Sequence, residues 1–146
     1  MSEESNTETP MLHWLIAGAG LIWNLFGFSV YLMTVRATTE QMAQQYSEAE
    51  IAFMDSVPMW ATSANAIAVT LGVLACVFLL LRKSIALPLF IASFVALLVQ
   101  DLHAFVIADV VSVFGMLPAY IQGTVLVVAI GLIFYTRSAK NRGLLS

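Results

Sequence analysis

PMWATSANAIAVTLGVLACVFLLL, running from Pro58 to Leu81, decides the fold of this chain. Its 24 residues include no Lys, Arg, Asp or Glu. A helix needs about 20 apolar residues to cross a hydrocarbon core roughly 30 Å thick, and the stretch is long enough. In lipid the backbone amides must find their partners within the segment, so the stretch is expected to be helical. A strand of a membrane barrel would place polar residues at every second position. This stretch does not alternate.

Three more runs of the same kind flank it, over about 11–35, 85–107 and 117–136. Hydrophobic residues make up 60% of the 146, charged residues 10%, and the mean hydropathy is +0.90. Soluble domains carry about 25% charge, so the composition belongs to a membrane protein. The expected fold is an all-α bundle of four transmembrane helices forming one domain over 1–146. An acidic N-tail over 1–10 and a basic C-tail over 137–146 flank it. The N-tail has Glu3, Glu4 and Glu8 but no Lys or Arg, which is not the basic start of a signal peptide. The first span is therefore expected to be retained.

Composition also narrows the chemistry. Six Lys and Arg cannot form a phosphate-tracking patch, so no nucleic-acid partner is expected. Cys76 is the single cysteine and sits inside the second span, where it reads as a small packing residue. His13 and His103 fall at opposite ends of their spans, which excludes a haem held between two histidines. No His, Cys and carboxylate cluster has metal-ligand spacing, and there is no phosphate loop or nucleophile elbow. No catalytic residue, metal or cofactor is expected, and the chain does not read as an enzyme.

Basic residues near helix ends set orientation. Arg82 and Lys83 lie between spans two and three, and Arg137, Lys140 and Arg142 follow span four. Only Arg36 lies in the first loop. Both termini are therefore expected on the cytoplasmic side, with the first loop and the connection around Asp109 outside. Within the first loop, Ser47-x-x-Glu50 precedes Ile51, Ala52, Phe53 and Met54. That is a capping-box spacing before an apolar run. It predicts one short amphipathic helix resting on the outer surface, with a lid over a cavity as the functional alternative. Trp60 after Pro58 and Tyr120 after Pro118 suit the interface.

Small and polar residues recur at helical spacing along each span. Ala17, Gly20, Asn24, Gly27 and Tyr31 form a stripe in the first, and Ala61, Asn65, Ala68, Gly72 and Ala75 one in the second. Span three has Ser93, Ala96, Gln100 and His103; span four begins with Ala119, Gln122 and Gly123. Small residues let helices approach closely in lipid. The polar members gather in the outer half. From the helical rise, Asn24 lies roughly 12 Å deep, Asn65 roughly 10 Å, Asp101 roughly 9 Å, and His103 and Gln122 roughly 6 Å. Ionisable groups at such depth are costly and mark candidate sites. Asp101 and His103 are two apart, so they are expected to face different ways, whereas Gln100 and His103 share a face more nearly. Asn24, Tyr31, Asn65, Gln100, Asp101, His103 and Gln122 are the candidate solute-binding residues. Hydrogen bonding between helices is the alternative role for Asn24 and Asn65.

Three motifs also carry a family likeness. They are Leu21-Ile-Trp23-Asn24-Leu-Phe-Gly27 with Tyr31-Leu-Met33, Phe53-Met-Asp-Ser56-Val-Pro58-Met-Trp60, and Leu79-Leu-Leu-Arg82-Lys83 with Ala86-Leu-Pro88-Leu-Phe90. Together they resemble a family of small four-helix bacterial inner-membrane proteins that often bear the label "sugar transporter". The resemblance covers most of the first three spans. It implies a multi-pass location in the bacterial inner membrane and transfers no binding residue. The two functions it leaves in view are binding or transport of a small polar solute, and a non-catalytic accessory role in a larger membrane complex. Four helices make a thin wall around a solute path, so transport implies a homo-oligomer or larger assembly in the lipid bilayer.

Overall fold

A computed structural model describes residues 9–146; most of the acidic N-tail lies outside the described residues. The elements run α1 Met11–Arg36, α2 Thr39–Gln45, α3 Glu48–Asp55, α4 Met59–Leu80, α5 Ala86–Asp101, a π-helical turn Leu102–Ile107, α6 Val110–Phe114 and α7 Leu117–Asn141. No strand occurs among the described residues. Four helices are long and apolar enough to cross a membrane: α1, α4, α5 continued through the π turn, and α7. The four prolines stand at helix beginnings. Pro10 and Pro58 cap α1 and α4, and Pro88 and Pro118 lie in the first turns of α5 and α7. A first turn needs no N–H from proline, so the ring costs nothing there.

Burial is inverted relative to a water-soluble bundle. The side buried on α4 consists of Ala61, Ala64, Ala68, Gly72, Ala75, Cys76 and Leu79. Large apolar residues point outward instead, with Ile22, Phe26, Val127 and Phe134 each about two-thirds or more exposed. In water such a surface would aggregate. In lipid the tails solvate it, and small residues let the helix backbones approach. Gly72 is an example. A Cβ there would collide with the Asn24 carboxamide oxygen across the α1–α4 contact.

The helices pack in chain order: α1 on α4, α4 on α5, and α5 on α7. The first and last helices meet at the end that carries Arg82, Lys83 and Arg137, called the basic face below. There Gly20 packs on Leu132, and His13 accepts a hydrogen bond from Tyr135. Toward the opposite end, the loop face, α1 and α7 diverge.

Three features depart from the expected outline. The first loop holds two helices rather than one. Ser47 and Glu50 form the anticipated capping box on α3, but Thr38 and Gln41 form a second one on α2, the backbone N–H of each residue donating to the side-chain oxygen of the other. The third span is not uniformly α-helical. Its last turn widens to π, closed by the Ala108 N–H on the His103 carbonyl at 2.8 Å. Asp109 then takes a left-handed conformation (φ 49°), and the short α6 follows.

The C-terminal residues are not a free basic tail. Helix α7 continues past the apolar run to Asn141, and Gly143 (φ 74°) turns the chain back. Leu144 and Leu145 are buried in the core. Ser146 donates its N–H to the Arg82 carbonyl at 2.7 Å and accepts that of Ser84 at 2.8 Å, while Arg82 Nε donates to the Leu144 carbonyl. The segment thereby satisfies the α4–α5 turn, where Arg82 itself sits at φ 57°.

Candidate functional site

Two adjoining cavities lie on the loop-face side of the Gly20–Leu132 contact. The first, about 490 Å³, lies beneath the first-loop helices. Met42 of α2 and Ile51, Phe53, Met54 and Asp55 of α3 roof it; Ala61, Thr62 and Asn65 of α4 and Gln100, His103 and Ala104 form its inner walls. The first loop therefore covers a cavity rather than resting on the surface as a connector. The roof is anchored by aromatic contacts. Phe114 of α6 meets Phe53 edge-on at 5.5 Å and Tyr46 at 6.5 Å. Edge-on aromatic pairs contribute about 0.5–1.5 kcal/mol beyond area burial.

The second cavity, about 300 Å³, is the cleft left where α1 and α7 diverge. Trp23, Phe26, Gly27 and Val30 of α1 form one wall and Ile121, Gln122, Val125, Val128, Ala129 and Leu132 of α7 the other. Its floor includes Ala68, Phe90 and Ser93. Tyr31, Thr34, Asn65 and Gln100 line both cavities. Ligand sites are commonly concave, largely apolar and of 300–1,000 Å³, with a few polar groups to fix orientation.

The structure places the seven candidate residues differently. Asn24, Tyr31, Asn65, Gln100 and Gln122 line the cleft, and Tyr31, Asn65, Gln100 and His103 line the roofed cavity. Asp101 lines neither. Its Oδ2 accepts a hydrogen bond from Gln122 Nε2 at 3.0 Å, which ties α5 to α7 behind the cleft wall. Asp101 and His103 indeed face apart: His103 is buried with its ring edge-on to Trp60 at 5.4 Å. Asn24 is the interhelical link, donating to the Gly20 carbonyl at 2.8 Å and to Cys76 Sγ at 3.3 Å. Cys76 thus serves as a hydrogen-bond acceptor as well as a packing residue. Asn65 makes no side-chain hydrogen bond to another described residue, so α1 and α4 are not joined through an Asn24–Asn65 pair. Two buried side-chain oxygens, Gln100 Oε1 and Asp101 Oδ1, have no partner among the described residues. A buried acceptor without a partner costs about 1–3 kcal/mol.

Charge is sparse. Asp55 is the only Asp, Glu, Lys or Arg among the described residues lining the roofed cavity, and the cleft has none. Arg36 lies on a separate groove between α1 and α2. No cluster of three His, Cys, Asp or Glu that could hold a metal occurs among the described residues. Apart from Asp55 and the His103 imidazole, the polar side chains offered to the cavities are amides and hydroxyls, which donate and accept hydrogen bonds without carrying charge.

Sequence reading did not anticipate the buried cluster at the basic face. His13 is fully buried, with Nε2 3.0 Å from the Leu79 carbonyl and Nδ1 2.8 Å from the Tyr135 hydroxyl. A carbonyl only accepts, so Nε2 carries the proton, and Nδ1 receives that of Tyr135. One side chain thereby joins α1, α4 and α7. Extending the first-span stripe back four residues from Ala17 reaches His13, so the signal lay in the spacing. Ser93 was read as a packing residue; its hydroxyl donates to the Ala68 carbonyl at 2.7 Å and ties α5 to α4.

Fold and composition define a multi-pass α-helical membrane protein. No family model, curated protein or solved structure matches the chain.

Proposed function

We propose that this protein binds a small solute in the roofed cavity and passes it across a bacterial inner membrane. The basic face lies in the cytoplasm and the α2–α3 roof outside. The observation that carries the reading is the pair of adjoining cavities with Asn65 and Gln100 on their common lining. A bundle held only for packing has no use for such volume, since interiors otherwise fill to crystal-like density. The π turn supports the same reading. It sits beside Gln100 and His103, and π-helical turns occur frequently at functional sites. The distribution of Lys and Arg supports the orientation. The protein acts as a carrier rather than an enzyme, in a homo-oligomer that thickens the wall of the path.

A second reading, an accessory subunit of a larger complex, draws on Gly18 and Gly131. Each has open space where a Cβ would stand, leaving room for a neighbouring helix.

Cysteine labelling separates the two. In a Cys76→Ala background, Asn65→Cys and Gln100→Cys would be treated in intact cells with a membrane-impermeant maleimide, with Leu74→Cys as the lipid-facing control. Reaction at 65 and 100 but not 74 is the expected result. Protection at both would overturn the solute reading and leave the accessory role.

A further inference from the structure

The two cavities differ in chemistry, and their order along the membrane normal matters. The roofed cavity is the more polar and stands at the loop face. The cleft is lined mainly by apolar side chains and runs inward from Gln122 to Leu132 along α7. Ten residues of helix make that roughly 15 Å. The α1 and α7 walls of the cleft belong to helices whose outward surfaces are lipid-facing, and these two helices pack directly on each other only at the basic face. A polar chamber at the interface that continues into an apolar slot within the hydrocarbon layer matches one kind of molecule. Its head bonds to amides and hydroxyls while its tail lies among hydrocarbon side chains.

We infer that the ligand is a single-chain amphiphile with an uncharged, hydroxyl-bearing headgroup. The headgroup sits under the α2–α3 roof against Asn65, Gln100 and Tyr31, and the chain lies in the α1–α7 cleft. This rests on the solute-binding reading and names the solute. The charge pattern decides the headgroup. Asp55 is the only Asp or Glu among the described lining residues; a carboxylate disfavours an anion, and no second one stands beside it to hold a cation. No Lys or Arg lines either cavity to pair with a phosphate or carboxylate. Gln100 lines both cavities, and a carboxamide both donates to and accepts from a hydroxyl.

The test uses the full chain in phosphatidylcholine nanodiscs and a monoacylglycerol carrying a mid-chain diazirine. The matched fatty acid and alkyltrimethylammonium serve as anionic and cationic comparators. After photolysis, crosslinks are mapped by mass spectrometry. The expected result is crosslinking concentrated on cleft residues such as Val125, Val128 and Ala129, and competed by unlabelled monoacylglycerol. Asn65→Leu combined with Gln100→Leu removes two headgroup hydrogen bonds and lowers crosslinking about tenfold. Ala129→Phe fills the slot and abolishes it. Melting temperatures of both variants near that of the parent establish that they are folded.

Preference for the anionic or cationic probe would overturn the headgroup assignment. Crosslinks spread evenly over lipid-facing Ile22, Val127 and Phe134 would overturn the amphiphile altogether. If cysteines at 65 and 100 still label in that case, the solute-binding reading stands with a different ligand; if they do not, both fail.

Discussion

Gly72 of α4 lies directly against the carboxamide oxygen of Asn24 in α1. That contact sets how near the two helices come, and the Asn24 amide, turned the other way, bonds to Gly20 and Cys76. Gly72→Ala therefore displaces the carboxamide or separates the helices. Overpacking of this kind costs about 1–3 kcal/mol. Gly131, which faces open space, supplies the control: Gly131→Ala stabilises by up to about 1 kcal/mol through helix propensity. Thermal unfolding of both variants in the same detergent is the measurement, and a Gly72→Ala melting point at or above the parent would contradict the packing account.

The His13 cluster makes a graded prediction. His13→Phe removes both bonds of the imidazole, although the Leu79 carbonyl keeps the Arg82 N–H at 3.0 Å, and costs about 1–3 kcal/mol in all. Tyr135→Phe removes one hydroxyl and leaves the Leu79 bond intact, so it costs less. The double variant is less destabilised than the sum of the two. Additive losses would mean the His13–Tyr135 bond does not operate.

Asp101 joins Gln122 through one oxygen, and an asparagine oxygen accepts the same bond. Asp101→Asn is expected to change stability by less than about 1 kcal/mol, whereas Asp101→Leu, which strands the Gln122 amide, costs about 1–2 kcal/mol. If Asp101→Asn alters solute uptake while membrane yield stays normal, the charge itself has a functional part. If yield falls in step with uptake, Asp101 is structural.

Roof order depends on two caps. Thr38→Ala and Ser47→Ala each remove the hydroxyl that accepts the N–H of the third residue of α2 or α3. Such losses cost about 1 kcal/mol locally. Hydrogen exchange of α2 or α3 amides rises roughly fivefold, with the transmembrane helices unchanged. A matching rise throughout α4 and α5 would contradict a separately stabilised roof.

Leu144 is buried and its carbonyl holds Arg82 Nε. Leu144→Ala removes core contacts and costs about 2–4 kcal/mol. Exchange at the Ser84 amide, which the Ser146 carbonyl protects, accelerates with it. Unaltered exchange at Ser84 would show that the C-terminal segment and the α4–α5 turn are independent.

The membrane-spanning helices were legible because hydropathy and length are chemical necessities in lipid. A charge-free run such as 117–136 has few other ways to satisfy its backbone. The departures have local causes. TEQMAQQ in α2 has no apolar face, so Thr38-x-x-Gln41 was passed over although it spells the same box as Ser47-x-x-Glu50. LHAFVI reads as ordinary helix, and nothing in its composition marks the widened turn. Arg137, Lys140 and Arg142 suggested a solvated tail, and their charge masked Leu144 and Leu145 beside them. In the candidate site, the helical spacing of Asn24, Tyr31 and Asn65 puts them on faces that line the cleft. Asp101 was singled out for its charge, yet its partner Gln122 holds it behind the wall, a relation that depends on how α5 meets α7.

The bond between His13 and Tyr135 spans 122 positions of the chain. The first helix made by the ribosome must therefore wait for the last before its wall of the cleft has an opposite side. Helices α1, α4 and α5 can associate as they emerge, each beside its sequence neighbour, but that three-helix intermediate has a groove open along its whole length. The cleft comes into being at the end of synthesis, when α7 is threaded in and fastened at one end. The roofed cavity, lined only by residues 31–104, needs no part of α7, and a chain halted before Leu117 would enter the membrane without the cleft alone.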